Sequence, residues 1–279
     1  MVENVAMDPG RIEFFVLERE AVIRLGVFAF VFVTMLVWEL VAPRRDLSVS
    51  KVMRWTNNLG LLVLNSIVLR LMFPAAAVGI AYSVAQQGWG LLNLVDLPLW
   101  FEVFAAVLLL DLAIYLQHRL MHQVPVLWRL HRVHHADLDF DMTTGSRFHT
   151  IEIIVSMLFK WGVILLLGPA LIAVLIFEVL LNGMAIFNHA NVSLPGAIER
   201  IVRSLLVTPD MHRVHHSTLV QETNSNYGFN LSIWDRIFKT YIDQPEKGHD
   251  AMTIGLAEFR DAKQVDQLPG MLGLPFVGK

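Results

Sequence analysis

His118-Arg-Leu-Met-His122, eight residues of connector, then His131-Arg-Val-His134-His135 is the stretch on which the reading of this chain turns. A third box, His212-Arg-Val-His215-His216, echoes the second much later. Eight of the eleven histidines stand in these boxes. Spacings of three and four place side chains on one face of an α-helix, about 5–6 Å apart at Cβ, so each box presents its imidazoles together. Neutral imidazole is the commonest side-chain metal ligand. Packed without a cation, so many rings are poorly solvated and, once protonated, repel one another. The boxes point to metal.

Two further histidines join the candidates: His149 in Arg147-Phe-His-Thr-Ile-Glu152 and His189 in Asn188-His-Ala-Asn191. His249 lies in a polar tail and is read as exposed. The candidate ligands are therefore His118, His122, His131, His134, His135, His149, His189, His212, His215 and His216. One ion takes about three to six ligands, so ten imply two ions in a shared site. The chain has no cysteine, which excludes disulfides, thiolate zinc sites and cysteine-held iron–sulfur clusters. Nitrogen donors suit iron, zinc, copper or nickel. Two irons activating O2 give such a site a chemical purpose, because side chains alone cannot oxidise an inert C–H bond.

Composition places the chain in lipid. Hydrophobic residues make up 55% and charged residues 17%, against about 25% charged in soluble domains. A net charge of −3 gives no argument for nucleic-acid binding. Glu3, Asp8 and Glu13 come early, so the start is read as something other than a cleavable signal peptide. Apolar spans are expected at about 21–42, 61–84 and 101–116, the last running straight into His118. Spans of about 20 residues suit a bilayer core of about 30 Å. A hydrophobic hairpin follows at 151–187, turning at Gly168-Pro169. The expected division is 1–117, transmembrane helices, and 118–279, the histidine-box region with its hairpin and a cytosolic cap. Loops 43–60 and 118–150 are basic while 85–100 has no Lys or Arg, so the positive-inside rule puts every box on the cytoplasmic face. The fold class is all-α, an integral membrane helical bundle with a cytosolic helical cap carrying the boxes.

The order H-x-x-x-H, then Trp128-x-x-His131-x-x-His134-His135, an isolated histidine, then H-x-x-H-H resembles the fatty acid hydroxylase/sterol desaturase superfamily of membrane diiron enzymes. Flanking residues strengthen the likeness: Asp111-Leu-Ala-Ile-Tyr115, Asn226-Tyr227-Gly228 and Trp234-Asp235-Arg-Ile-Phe238-Lys-Thr-Tyr241. The resemblance implies that the boxed histidines hold two irons, replaceable by zinc on recombinant expression, and that a lipid reaches them from the bilayer. His189 matches the family's isolated histidine. Some members pair it with another four residues earlier, where this chain has Ala185; His149, resembling a histidine that some members place before a Glu, is expected to fill that gap. The implied activity is hydroxylation or desaturation of a sterol, sphingolipid or fatty acyl lipid with O2. No flavin, nicotinamide, iron–sulfur or haem motif is present, so electrons are expected from a separate donor protein. The competing reading is a histidine-rich membrane protein for metal handling or transport, which predicts ligands spread through the spans.

Other polar residues carry open alternatives. Asp111, Glu152 and Asn191 are candidates for orienting the ligands; Asp111 could instead pair with Arg70, and Glu152 could accept from His149 or from a neighbouring ligand. Glu178, Asn182 and His189 share a helical stripe leading toward the metals, although a plain interhelical bond explains Glu178 equally well. Asp137, Asp139 and Asp141 look metal-binding but are read as a solvated loop.

Overall fold

A computed structural model describes residues 9–278. Glu3 and Asp8, on which much of the signal-peptide reading rests, lie outside the described residues. Helix α1 (Pro9–Val41) is a single run of 33 residues, about 50 Å at 1.5 Å per residue, and so begins well before the apolar stretch that marks it in the sequence. Helix α2 (Lys51–Met72) starts at Ser50, whose hydroxyl accepts from the Met53 amide. The expected span 61–84 is interrupted. Pro74 disfavours helical backbone in the residue before it, and Phe73 leaves the helix at φ −129°. The chain then resumes as α3 (Ala76–Gln87).

Helix α4 (Leu99–Gln123) carries the first box without a break. Helix α5 (Pro125–His135) carries the second and opens on Pro125, where a missing N–H costs nothing. The hairpin is α6 (Thr150–Leu167) and α7 (Leu171–Asn188). Gly168 closes α6 at φ +62°, a conformation that favours glycine; a Cβ there would also sit 2.2 Å from the Trp89 carbonyl. Helices α8 (Gly196–Arg203) and α9 (Pro209–His215) follow, the latter carrying the last box. Thr208 caps α9 by accepting from the Met211 amide. Among the described residues β-structure amounts to isolated bridges such as Leu206–Leu231.

Five helical segments are long and apolar enough to cross a membrane: α1, the bent α2–α3 stretch, α4, α6 and α7. The chain is an all-α integral membrane bundle. Val16, Val78, Leu110, Ile164, Leu171 and Phe177 pack in its interior, while Leu25, Phe30, Leu71 and Leu166 point outward, as lipid contact requires. At one end of the bundle the C-termini of α1, α4 and α7 meet the N-termini of α2 and α6. Contacts there are direct: Glu39 of α1 accepts from the amides of Met142 and Asn191, and Arg54 of α2 pairs with Asp137. The three boxes converge at this end.

Candidate metal centre

The boxes fold into two clusters. His118, His122, His131, His135 and His215 offer ring nitrogens that all lie within 4.8 Å of one another. His134, His189, His212 and His216 form a second such set. The alternation comes from helix geometry: within the second box His131 and His135, at i and i+4, serve one cluster while His134 serves the other. In the last box His215 and His216 part in the same way. The Nε2 atoms of His118 and His131 stand 3.2 Å apart and those of His118 and His215 3.1 Å. In the second cluster His189 Nε2 is 3.1 Å from both His134 and His212 Nε2. Ligands about 2.0–2.1 Å from one ion have separations of this size.

The outer ring nitrogens fix which atom faces inward. His118 Nδ1 donates to the Tyr227 carbonyl at 2.8 Å, and His215 Nδ1 to that of Ser225 at 2.6 Å. His189 Nδ1 donates to the Ala185 carbonyl at 2.7 Å. His131 Nδ1 donates to Glu152 at 2.6 Å. Each bond holds the proton outside and turns the Nε2 lone pair toward the cluster, the arrangement metal-ligating histidines use. Burial holds His134, His212 and His216 well below the ordinary imidazole range, and charge on neighbouring rings would lower them further; His189 is pushed down to about 3. These four rings are therefore held neutral at pH 7 and free to ligate. His135 Nε2 and both nitrogens of His216 are buried with no hydrogen-bond partner, a costly state for polar atoms that ligation relieves. This donor set fits two borderline metal ions.

The flanking motifs explain themselves as supports. Asp235 accepts from the amides of Tyr227 and Gly228 at 2.8 and 2.7 Å, and from the Thr240 hydroxyl. Asn226, at φ +49°, donates to the carbonyls of Met211 and Ile242 and accepts from the Ile242 amide. The turn so fixed presents the Ser225 and Tyr227 carbonyls to His215 and His118. At Gly228 a Cβ would meet the Asp235 carboxylate at 2.7 Å. On the other side, Gly145 sits so close to the Ala185 carbonyl that a Cβ would fall 2.2 Å from it. Trp128 packs against His122 and His135, ring centres 4.9 and 5.4 Å apart.

Several expectations are corrected here. His149 joins neither cluster. It is the N-cap of α6, its Nδ1 accepting from the Ile151 amide at 3.2 Å while Nε2 faces the Leu272 carbonyl. The extended backbone required of a cap turns the ring away from the boxes, so the gap at Ala185 stays unfilled and the second cluster has four histidines. Glu152 accepts from the neighbouring ligand His131 instead. Asp111 neither orients a histidine nor pairs with Arg70; it accepts from Trp234 Nε1 at 2.8 Å and the Leu231 amide, tying α4 to the segment beyond the last box. Asn191 bonds the Arg45 backbone through both its amide groups, anchoring the α1–α2 loop. His249 is buried rather than exposed, 3.9 Å from Asp210.

The aspartates after the second box are not solvated. Asp137 takes Arg54 through both oxygens at 2.6 and 2.8 Å, and Asp141 takes the same guanidinium at 2.6 Å. Asp139 accepts from the amides of Ser48 and Val49. Burial alone would raise the Asp137 carboxyl, but Arg54 and Arg147 outweigh it and hold it below the usual range. Arg147 in turn bonds the Val133 carbonyl and Asp266. The loop is a buried ionic clamp between α2, α5 and the C-terminal segment.

Two cavities open on the centre. One, about 330 Å³, runs from His118, His131, His134 and His212 down between α1, α2, α4, α6 and α7. Its wall is mostly apolar, with Phe28, Leu62, Leu69, Ile114, Met157 and Leu181 along it. Another, about 700 Å³, lies on the cap side beside His122 and Trp128, with Arg129 and Arg132 at its rim.

Residues 103–240 match the family model described as Fatty acid hydroxylase. The alkylglycerol monooxygenase of Xenopus tropicalis is 34% identical over 164 residues, covering 57% of this chain and 35% of that protein. The ornithine lipid hydroxylase OlsE of Rhizobium tropici is 32% identical over 149 residues, covering 53% of this chain and 44% of that protein. Human alkylglycerol monooxygenase is 31% identical over 185 residues, covering 66% of this chain and 40% of that protein. The aligned stretch thus spans less than half the length of these relatives. No solved structure matches.

Proposed function

The chain belongs to the fatty acid hydroxylase/sterol desaturase superfamily, and from that premise we propose that it is a membrane-bound, O2-dependent diiron oxidoreductase that hydroxylates a lipid. The observation that carries this reading is the pairing of two neutral nitrogen clusters with an apolar cavity leading from them into the bundle. The nine clustered histidines would hold two irons, one in the group of five and one in the group of four. When bound, the pair would supply the oxidising power that side chains lack, so that one atom of O2 enters a C–H bond and the other leaves as water, at a cost of two electrons and two protons from outside. The chain does the rest. The 330 Å³ cavity admits an alkyl chain and excludes water from it. Glu152 and the carbonyls of Ala185, Ser225 and Tyr227 keep the ligating rings aimed. Ile186 and Phe229 line the same cavity as His212.

Charge and access support the remaining assignments. Basic loops at 43–60 and 118–150 favour a cytoplasmic centre, and the cap-side cavity rimmed by Arg129 and Arg132 offers a separate electron-donor protein its nearest approach, past Trp128. The gathering of every clustered histidine at one end of the bundle speaks against a transport path, which needs ligands through the spans. Expression of the wild-type chain and of His134→Ala in a host whose membrane lipids are then profiled by mass tests the proposal. A lipid heavier by one oxygen atom should appear with the wild type alone, and purified wild type should hold two irons per chain. Identical lipid profiles from a wild type that is loaded with iron and supplied with a donor would refute it.

A further inference from the structure

The cavity that opens on the histidines does not end in hydrocarbon. At its far end it is lined by Arg24 of α1, Lys160 of α6 and Glu178 of α7. Lys160 Nζ is 2.5 Å from one Glu178 oxygen, and Arg24 Nη2 is 3.0 Å from the other. Lys160 lies eight residues beyond Glu152 on α6, about 12 Å along the axis from the group that touches His131. Glu178 lies eleven residues before His189 on α7, about 16 Å by the same measure. Between the two polar ends the wall is largely apolar, so the shape is a greasy sleeve with a polar socket at each end.

Charges inside a membrane are expensive and, where present, mark binding or conduction sites unless fully paired. This group is not balanced. Two cations share one buried carboxylate, and Glu20 and Arg70, which adjoin the group, are of opposite sign; the five charges together leave a surplus of one positive charge. A plain interhelical tie would need only one cation. Lys160 has three donors and Arg24 five; the carboxylate between them accepts one from Lys160 and forms an ion pair with Arg24. All three side chains line the space that leads to the metals.

We propose that Lys160 and Arg24, set by Glu178, bind the end of the substrate remote from the oxidised carbon, and that this end carries a hydrogen-bond acceptor, with a carboxylate held best. The inference rests on the lipid-oxidation reading above and narrows its substrate class. The substrate is a single chain or slender skeleton, polar at the far end, whose length from that end sets which carbon meets the metals. An unfunctionalised alkyl tail would leave the surplus charge unmet.

The test uses the purified full chain in lipid nanodiscs and photoreactive dodecyl probes alike except at one end: methyl, hydroxyl or carboxylate, with the diazirine on the carbon beside that end. Ultraviolet labelling needs neither O2 nor electrons, so its outcome is independent of whether turnover occurs. The carboxylate probe should label the middles of α6 and α7 at least tenfold more than the methyl probe, with the hydroxyl probe between. Lys160→Gln and Arg24→Gln should each remove most of that preference. Glu178→Gln, which removes the one balancing negative charge, should keep it, whereas a merely structural tie would lose labelling by all three probes together. Equal labelling by the three probes, labelling confined to the box peptides, or full preference retained in both Lys160→Gln and Arg24→Gln would overturn the assignment. Lipid oxidation seen alongside equal labelling would leave the enzyme standing and remove only the polar socket.

Discussion

The histidine centre and the aspartate clamp beside it lie within a few residues of one another in the chain, and they solve the problem of buried polarity in opposite ways. In the clamp both cations meet carboxylates: Arg54 is spanned by Asp137 and Asp141, and Arg147 bonds Asp266, while Asp139 is held by backbone amides. In the centre nitrogen faces nitrogen at 3.1–3.2 Å and the rings stay neutral. The clamp is complete without any guest, whereas the centre would gain its cohesion from a bound cation. The difference teaches that the scaffold holding the site and the force closing the site are separate, and each can be removed while the other is watched.

The largest effect is expected at the clamp. Arg54→Met strands two buried carboxylates, a change that costs about 3–5 kcal/mol where one partner of a buried pair is lost, and the protein should fail to accumulate in membranes or melt far below wild type even with metal present. A wild-type melting point for this variant would show that the clamp is not what holds the scaffold. Chelation comes next. Stripping metal from the wild type should lower the melting temperature by an amount that grows with the free-metal concentration it replaces, about 2.7 kcal/mol at a hundredfold excess over Kd, yet helix content by circular dichroism should survive. Loss of the helical signal on chelation would mean that the clamp does not stand alone. His134→Ala should show a smaller loss of stability, with metal analysis falling toward one ion per chain and hydroxylation abolished; full activity would detach the second cluster from the chemistry. Smallest of all is His149→Ala, a helix-cap change worth about 1 kcal/mol, which should leave metal content at the wild-type value. A drop in metal would return His149 to the ligand set.

The centre was legible because its information is local. Spacings of three and four within a box dictate a shared face wherever the helix goes, and three such boxes leave little else to do. The turn at Gly168-Pro169 and the long apolar runs were readable for the same reason. What eluded the sequence depends on partners far away in the chain. Asp137, Asp139 and Asp141 read as solvated because nothing near them shows that Arg54, some eighty residues earlier, is waiting inside. The same holds for Asp111, whose partner Trp234 lies more than a hundred residues on. His149 misled in a different way: its place before Glu152 in the sequence matches a ligand, but its backbone is needed to start α6. Pro74 breaks the second span inside a hydrophobic run whose length alone suggests one continuous helix.

The C-terminal segment acts on the second box from behind. Leu274 and Val277 offer their carbonyls to Arg132, Asp266 holds Arg147, and Leu272 faces His149. Its position imposes an order on biosynthesis. While the ribosome is still making the hairpin, the first two boxes are already out but the last is not, so neither cluster can close around an ion. Even after His216 emerges, the brace behind α5 arrives only with the final stretch. On the reading proposed above, iron would therefore be captured late, by a chain already threaded through the bilayer. Released chains truncated before residue 260 and affinity-purified from membranes should carry no iron, while released chains that include residue 277 should carry it.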